Sequence, residues 1–216
     1  MAREADPRDV AVGYDRVADR YAALESDSNQ WPRLRWLSKL VPLLGDGSEV
    51  LDVGCGNGIP ATRELAQRHN VTGVDVSKAQ IERARRNVPG ARLIQGDVLT
   101  LALPAETYDA IVAFYVVDHV PREMHAAVFS LMHRWIRPSG YLLFTIEPED
   151  QPGEVRDWIG APMFFSQYDA QRTLEIVRTA GFRIIHDARE TQIEGDHEVE
   201  YLWVLAQKEL PASTNE

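Results

Sequence analysis

The sequence predicts an α/β fold with a seven-stranded, mostly parallel sheet. Short apolar segments alternate with helical segments from residue 49 onward, an order typical of a parallel sheet covered on both faces. About ten residues separate the last two strand-like segments. Because so short a connection cannot hold a crossover helix, we expect these two strands to pair antiparallel. A glycine-rich turn after the first strand marks one end of the sheet as a place where a ligand can approach the main chain.

The first half of the chain predicts two helices ahead of the sheet, followed by three strands and two further helices. The strands are short and apolar, and we expect them at residues 49–53, 71–74 and 92–95. The helices are expected at residues 7–24, 31–44, 60–69 and 78–87. Pro60 suits the first turn of the third helix, and Ser77 is a typical N-cap for the fourth.

The second half continues the alternation and then departs from it. Strands are expected at residues 110–115 and 141–146, with a helix at 122–136 that ends in the turn 137–140. Ser166 is expected to cap a helix over 167–180, with Asp169 completing a capping box. The final strands are expected at 183–187 and 198–207, and residues 148–166 are expected to form a loop.

The composition fits a single globular domain. Of the 216 residues, 44% are hydrophobic and 26% are charged, which is typical of a chain that buries one core. We interpret residues 1–216 as one domain, with a helical lid over 1–48 and the core over 49–208. The polar C-terminal stretch 209–216 predicts a disordered tail.

Charge and cysteine content narrow the class of protein. The formal net charge of −10 disfavours a nucleic-acid partner, because such partners require a basic surface. The lone cysteine, Cys55, cannot form an intramolecular disulfide, and the N-terminus has no apolar signal sequence, so we expect a cytoplasmic protein. No stretch approaches the roughly 20 apolar residues of a membrane span, so no membrane partner is expected. The oligomeric state is left open.

The segment 50–60, VLDVGCGNGIP, carries the strongest functional signal. Its glycines at 54, 56 and 58 allow a tight turn between a strand and a helix, and the helix start offers N–H groups to an anionic ligand. A dinucleotide-binding turn requires the spacing G-x-G-x-x-G, but here the third glycine comes one residue early. The pattern is instead D-x-G-x-G-x-G, beginning at Asp52.

This pattern resembles motif I of the class I S-adenosylmethionine-dependent methyltransferases, and four further segments follow the order of that family. Asp75 ends the second strand, Asp97 follows the third, and YDAIV at 108–112 resembles the next motif. RPSGYL at 137–142 resembles the late L-R-P-G-G-x-L motif, with Ser139 in place of a glycine. YDRVADRY at 14–21 resembles the lid helix of the ubiquinone/menaquinone-biosynthesis branch, so the resemblance covers roughly residues 10–208.

The resemblance implies a Rossmann-like sheet, S-adenosylmethionine as cofactor and S-adenosylhomocysteine as product. In the family, the acid matching Asp75 holds the ribose hydroxyls and the acid matching Asp97 lies beside the adenine. Both aspartates could instead cap local turns, and Tyr14 and Tyr21 could simply pack in the core. The implied cofactor-binding residues are Tyr14, Tyr21, Asp52, Gly54, Gly56, Gly58, Asp75, Val76, Asp97, Val98 and Phe114.

Methyl transfer requires alignment, exclusion of water and, for a hydroxyl acceptor, removal of a proton. His119, in the stretch FYVVDHVP at 114–121, is the candidate base, and we expect its pKa to lie near the working pH. In this branch the matching histidine is often structural or orients the substrate, so that alternative stays open. No metal-ligand pattern is seen, and no metal is expected.

Residues 148–166 are unusually apolar for a loop, with the string DWIGAPMFFS at 157–166. They form either a structural flap or the wall of a pocket for a planar or lipophilic acceptor. The string resembles stretches in bacterial small-molecule methyltransferases associated with secondary metabolism. The predicted substrate-binding residues are Tyr115, Asp118, Trp158, Met163, Phe164 and Phe165.

These expectations combine into an enzyme that methylates an O, N or C atom of a small aromatic or apolar molecule. A non-catalytic cofactor-binding module and an aminopropyl transferase are the alternatives. A turnover assay distinguishes the enzyme from the non-catalytic module, because an enzyme must move labelled methyl from the donor to an acceptor.

Overall fold

A computed structural model describes residues 7–26, 32–194 and 197–210. Its main sheet has seven strands, which confirms the predicted α/β fold. Most of the tail predicted to be disordered lies outside the described residues. The strands of this sheet are β1 (Glu49–Val53), β2 (Asn70–Asp75), β3 (Arg92–Gln95), β4 (Tyr108–Phe114), β5 (Ile136–Ile146), β8 (Phe182–Glu194) and β9 (His197–Lys208).

The strand order places a ligand crevice beside β1. The order across the sheet is β3-β2-β1-β4-β5-β9-β8, with β1 to β5 parallel and β9 antiparallel to both neighbours. The chain continues from β1 toward β2 and from β4 toward β5, on opposite sides, so the segments that follow these two neighbouring strands diverge. Open α/β sheets bind ligands at such a switch point.

Helices cover both faces of the sheet, because the central strands carry buried side chains on both faces. In β4, Ile111 and Ala113 belong to one core cluster, whereas Val112 and Phe114 belong to the other. This alternation follows from the two-residue repeat of a strand. The helices are α1 (Pro7–Ser26), α2 (Arg33–Leu40), α3 (Ala61–Leu65), α4 (Lys78–Asn87), α5 (His125–Trp135) and α6 (Ala170–Thr179). In the described part of the chain, no helix combines the length and apolar character needed to cross a bilayer.

The prediction of a loop over residues 148–166 is wrong. This segment forms an antiparallel hairpin of β6 (Gln151–Trp158) and β7 (Ala161–Gln167), separate from the main sheet. Its apolar residues are buried in β7 while much of β6 is exposed. We call this pair of strands the flap hairpin, and α1 the lid helix.

Several boundaries also differ from those expected, and two of the differences have the same cause. Ser166 lies inside β7 and does not cap α6; the N-cap is Asp169, whose side chain accepts a bond from Arg172 N. Residues 137–140 are not a free turn but a bulged part of β5, where the pairing with β4 shifts register. In both places strand pairing absorbs residues whose local pattern favours a turn or a cap.

Candidate active site

A cavity of about 790 Å³, counting space open to solvent, lies at the carboxyl ends of β1 to β4. This is the edge predicted from the glycine loop. Its lining combines the residues after each strand with two tyrosines of the lid helix. The lining residues are Val10, Tyr14, Tyr21, Val53, Gly54, Gly56, Val74, Asp75, Val76, Gly96, Asp97, Val98, Leu99, Phe114, Tyr115, Val116, His119, Val120 and Pro121.

The glycine loop is fixed to β2 through its main chain. The N–H groups of Gly54 and Cys55 both donate to Val74 O, at 2.7 and 3.0 Å. Gly54 has φ +68°, and a Cβ placed there would lie 2.0 Å from Val116 Cγ2. The position therefore requires glycine both for its conformation and for its close contact.

Asp75 links the glycine loop to the cavity. Its Oδ2 accepts a bond from Gly56 N at 2.9 Å, and its Oδ1 accepts one from Ser77 N at 2.8 Å. Burial raises the pKa of this carboxyl to about 6, an effect that these two bonds oppose. The side chain thus both caps the local turn and lines the cavity, so the two interpretations of Asp75 are compatible.

Asp97 has a similar double position after β3. Its Oδ1 accepts a bond from Leu99 N at 2.9 Å, which shapes the turn, and the residue also lines the cavity. Val76 and Val98, predicted with the two acids, lie in the same lining. This end of the cavity therefore combines two carboxylates with apolar walls.

Asp52 and Gly58 do not line the main cavity. Asp52 is buried, and its Oδ2 accepts a bond from Thr62 Oγ1 at 2.6 Å. It borders a smaller adjoining recess of about 250 Å³, which also includes Cys55 and Arg33. Burial beside Asp52 raises the pKa of the Cys55 thiol, which fits a loop filler and not a nucleophile.

Arg33 is a site residue that the sequence reasoning missed. It is buried, donates from Nη2 to Tyr21 Oη at 3.0 Å, and its guanidinium lies 4.4 Å from the centre of the Tyr115 ring. The missed signal is its spacing, because Arg33 shares one helical stripe with the buried Trp36, Leu37 and Leu40. An arginine on the apolar stripe of a helix needs a buried partner.

The lid helix is docked on α4 by its acids. Asp15 Oδ1 accepts bonds from Ser77 Oγ and from Ala79 N, and Asp19 pairs with Arg83. Asp15 thereby extends the predicted Ser77 cap of α4, which the structure confirms. Five residues of the lid helix line the cavity or contact α4. Two of them, Tyr14 and Tyr21, form an edge-on ring pair with centroids 5.7 Å apart.

His119 lines the cavity, but the expectation that its pKa lies near the working pH is wrong. Its Nε2 lies 2.8 Å from Tyr14 Oη, and its Nδ1 lies 2.8 Å from Phe164 O. Burial lowers its pKa to about 4, because desolvation of the charged form outweighs the bond to Phe164, and the charge of Arg156 lowers it further. His119 is therefore neutral at pH 7.

The flap hairpin supports the lid more than it lines the cavity. Met163, Phe164 and Phe165 are buried in a cluster with Val10. These three residues are absent from the cavity lining, as is the buried Asp118.

Of the two other predicted substrate-binding residues, Tyr115 lines the cavity and Trp158 does not. The Trp158 ring lies 5.4 Å from that of Tyr14 and 5.7 Å from that of Tyr21, so it packs beside the two lid tyrosines that line the cavity. Tyr115 lines the cavity with φ +58°, a strained conformation, and its hydroxyl donates to Gln192 Oε1 at 2.8 Å.

A family model described as a methyltransferase domain matches residues 50–140. The ubiquinone biosynthesis O-methyltransferase of Paracidovorax citrulli is 26% identical, over 94% of this chain and 96% of that protein. For other curated relatives the match is shorter, and the chain spans about half their length.

Solved structures share the fold across almost the whole chain. One is the 1,6-didemethyltoxoflavin-N1-methyltransferase of Burkholderia thailandensis with bound 1,6-didemethyltoxoflavin and S-adenosylhomocysteine, at TM-score 0.69 and 21% identity, over 97% of this chain and 93% of that one. Another is the [4+2]-cyclase SpnF, at TM-score 0.72 and 19% identity, over 98% and 100%. At such identities the likeness shows the fold, and activity has to be argued from the site.

Proposed function

We propose that this chain, a class I S-adenosylmethionine-dependent methyltransferase by fold and family, methylates a small, uncharged aromatic or apolar molecule. The observation that carries the proposal is a single cavity in which the glycine loop and Asp75 face two lid tyrosines and His119. The branch we propose is the ubiquinone-biosynthesis type, acting in the cytoplasm and in bacterial secondary metabolism. The lid motif at 14–21 and the near full-length match to an O-methyltransferase support that branch.

The polar groups of the cavity and of its adjoining recess fit both ends of S-adenosylmethionine. A ribose diol donates hydrogen bonds, and Asp75 is a carboxylate at the cavity surface that can accept them. Asp97, Val76 and Val98 would hold the adenine between apolar walls and one acceptor group. The amino-acid end of the molecule carries both charges, and the adjoining recess offers both opposite charges on Asp52 and Arg33.

The lining of the cavity favours an acceptor without negative charge. Its two carboxylates, Asp75 and Asp97, both lie at the donor end, and no lysine or arginine belongs to the described lining of the main cavity. The remaining walls are the rings of Tyr14, Tyr21, Phe114 and Tyr115 and the neutral imidazole of His119, with aliphatic side chains between them. Such walls favour a planar, uncharged molecule, since burying an unpaired charge there costs on the order of several kcal/mol.

The residues act mainly by positioning and by excluding water. The bound donor supplies an electrophilic methyl group on a positively charged sulfur. Tyr14 and Tyr21 of the lid helix line the cavity with aromatic rings, which Trp158 packs against, and they keep water from competing with the acceptor. Holding the acceptor in line with the methyl group removes most of the entropic cost of the reaction.

Calorimetry with S-adenosylhomocysteine and a transfer assay with methyl-labelled donor test the proposal together. The acceptors would be a panel of uncharged phenols and heteroaromatic compounds, with product mass as the readout. Binding with transfer supports the proposed function. Binding with no transfer to any compound favours the non-catalytic module, and the absence of binding contradicts the cofactor assignment itself.

A further inference from the structure

Three distant parts of the chain meet in one row of hydrogen bonds beside the cavity. Tyr14 of the lid helix, His119 of the turn after β4 and the main-chain carbonyl of Phe164 in the flap hairpin are joined by two contacts of 2.8 Å. Tyr14 and His119 are 105 residues apart, and His119 and Phe164 are 45 apart. The row therefore exists only when lid and flap are both in place.

The chemistry of the partners fixes the protons in this row. A carbonyl oxygen only accepts, so the proton of the neutral imidazole lies on Nδ1 and is donated to Phe164 O. Nε2 then carries the lone pair and accepts the hydroxyl proton of Tyr14. Both nitrogens of His119 are engaged, so no acceptor molecule can bind either of them while this contact lasts.

We propose that Tyr14, and not His119, faces the acceptor and takes its proton, while His119 is the positioning residue that receives the proton of Tyr14. A phenol oxygen has two lone pairs beside its proton, and Tyr14 lines the cavity. The inference rests on the proposed methyl transfer and deepens it, because a proton path of this kind serves an acceptor hydroxyl. The substrate class is an uncharged phenol.

The step balances without a further reactant. A lone pair of the acceptor hydroxyl forms the new O–C bond while the C–S bond breaks and leaves its electrons on sulfur. As the new bond places positive charge on the acceptor oxygen, its proton becomes acidic enough for an imidazole of low pKa to take up. The acceptor proton passes to Tyr14 Oη, and the Tyr14 proton passes to His119 Nε2. One positive charge is lost at sulfur as one appears on the imidazole, so the charge of the closed cavity stays constant. Opening of the lid returns the proton to water.

Substitution of Tyr14 by phenylalanine separates this arrangement from direct action by His119. Tyr14→Phe keeps the ring that packs against Tyr21 and Trp158 but frees Nε2 of His119. If His119 acted directly on the acceptor, the variant would keep or exceed the wild-type rate. If Tyr14 is the acceptor-facing group, kcat falls by about 10²–10⁴-fold.

The experiment measures kcat and KM for uncharged mono- and dihydroxybenzenes, binding of S-adenosylhomocysteine, and the imidazole protons by ¹⁵N NMR of the histidines. For Tyr14→Phe we expect the loss in kcat with binding changed less than about twofold. The double variant Tyr14→Phe/His119→Ala is expected to be no slower than Tyr14→Phe alone, because the two residues act as one unit. Tyr21→Phe is the matched lid variant, and its effect should fall on donor affinity, since its hydroxyl accepts from Arg33.

The NMR readout needs no acceptor. We expect wild-type His119 to carry its proton on Nδ1, and Tyr14→Phe to shift the Nε2 resonance. A proton on Nε2, an undiminished kcat in Tyr14→Phe, or a wild type that binds S-adenosylhomocysteine but methylates no phenol would each overturn this inference. Loss of S-adenosylhomocysteine binding in the wild type would contradict the proposed function instead.

Discussion

The donor side and the lid side of the cavity are built by different means. On the donor side, main-chain groups of Gly54, Cys55 and Gly56 bond to the end of β2, and the bond from Gly56 to Asp75 joins residues only 19 apart in the sequence. On the lid side, side chains meet across much longer separations, as Tyr14 does with His119. The first region is a rigid turn locked to a sheet; the second is an assembly of separate elements.

This difference predicts which properties a substitution should alter in each of the two regions. A change in the glycine loop has to be absorbed by the sheet edge and therefore affects both stability and cofactor binding. A change in the lid can be absorbed by movement of the lid helix or of the flap hairpin, because elements that close over ligands are drawn from the less stable parts of a fold. Matched substitutions in the two regions test this contrast.

The largest effect is expected for Gly54→Ala. The new Cβ combines a left-handed conformation, which costs about 1–2 kcal/mol, with an overlap on Val116 that costs about 1–3 kcal/mol more. We expect a lower melting temperature and a fall of about 100-fold in S-adenosylhomocysteine affinity. The control is Gly47→Ala, since Gly47 has φ +75° but no neighbour within 4 Å, and it should lose about 1 kcal/mol of stability with its affinity intact. Equal behaviour of the two variants would refute the role of the close contact.

The next effect is expected for Asp75→Ala. Removal of the carboxylate deletes at least one charged hydrogen bond to a ribose hydroxyl, worth about 1.5–3 kcal/mol, so affinity for S-adenosylhomocysteine should fall at least about tenfold. The variant also leaves the N–H groups of Gly56 and Ser77 without their acceptor, so circular dichroism has to show that it is folded. A folded Asp75→Ala protein with unchanged affinity would contradict the assignment of Asp75 to the ribose hydroxyls.

The same residue predicts how binding depends on pH. Its folded-state pKa is raised to about 6, so the carboxylate gains a proton as the pH falls through 6 and can then no longer accept from both hydroxyls. Affinity for S-adenosylhomocysteine should be constant above pH 7 and should weaken by up to about tenfold per pH unit below 6. Calorimetry in buffers of different ionisation enthalpy measures the linked proton release near pH 6. An Asp75→Asn protein should lose this dependence, and a wild type with no dependence would show that Asp75 does not contact the ligand.

The smallest effect is expected for Gly160→Ala, the lid-side counterpart of Gly54→Ala. Gly160 has φ +88°, and a Cβ there would lie 1.7 Å from Arg20 Nη1, the end of an exposed side chain that donates to Ile159 O. Arg20 can move away, so stability should fall by only about 1–2 kcal/mol and donor affinity by less than about threefold. Hydrogen exchange of the lid helix should become faster, and S-adenosylhomocysteine should slow it in the wild type. A loss of affinity equal to that of Gly54→Ala would show that the two regions are not separable.

Much of the fold could be predicted because its elements have local causes. The strand β1, the helix α4 and its Ser77 cap lie where the sequence places them, since burial of a short apolar segment and a capping hydroxyl are properties of neighbouring residues. The flap hairpin could not be predicted in this way. Its apolar run in β7 becomes a strand because β6 pairs with it and Val10 of the lid helix packs on it.

The sequence by itself determined the sheet, its antiparallel end and the sheet edge at which the cavity lies, because strand period, glycine conformation and the acids at strand ends are encoded within a few residues. The tertiary structure decided the state of His119 and the place of Arg33. A pKa of about 4 results from desolvation by distant segments, which outweighs the opposing effect of the bond to Phe164 O, and neither can be read from the neighbours of His119 in the chain. Likewise, Arg33 becomes a site residue only through Tyr21 and Tyr115, which folding brings to it.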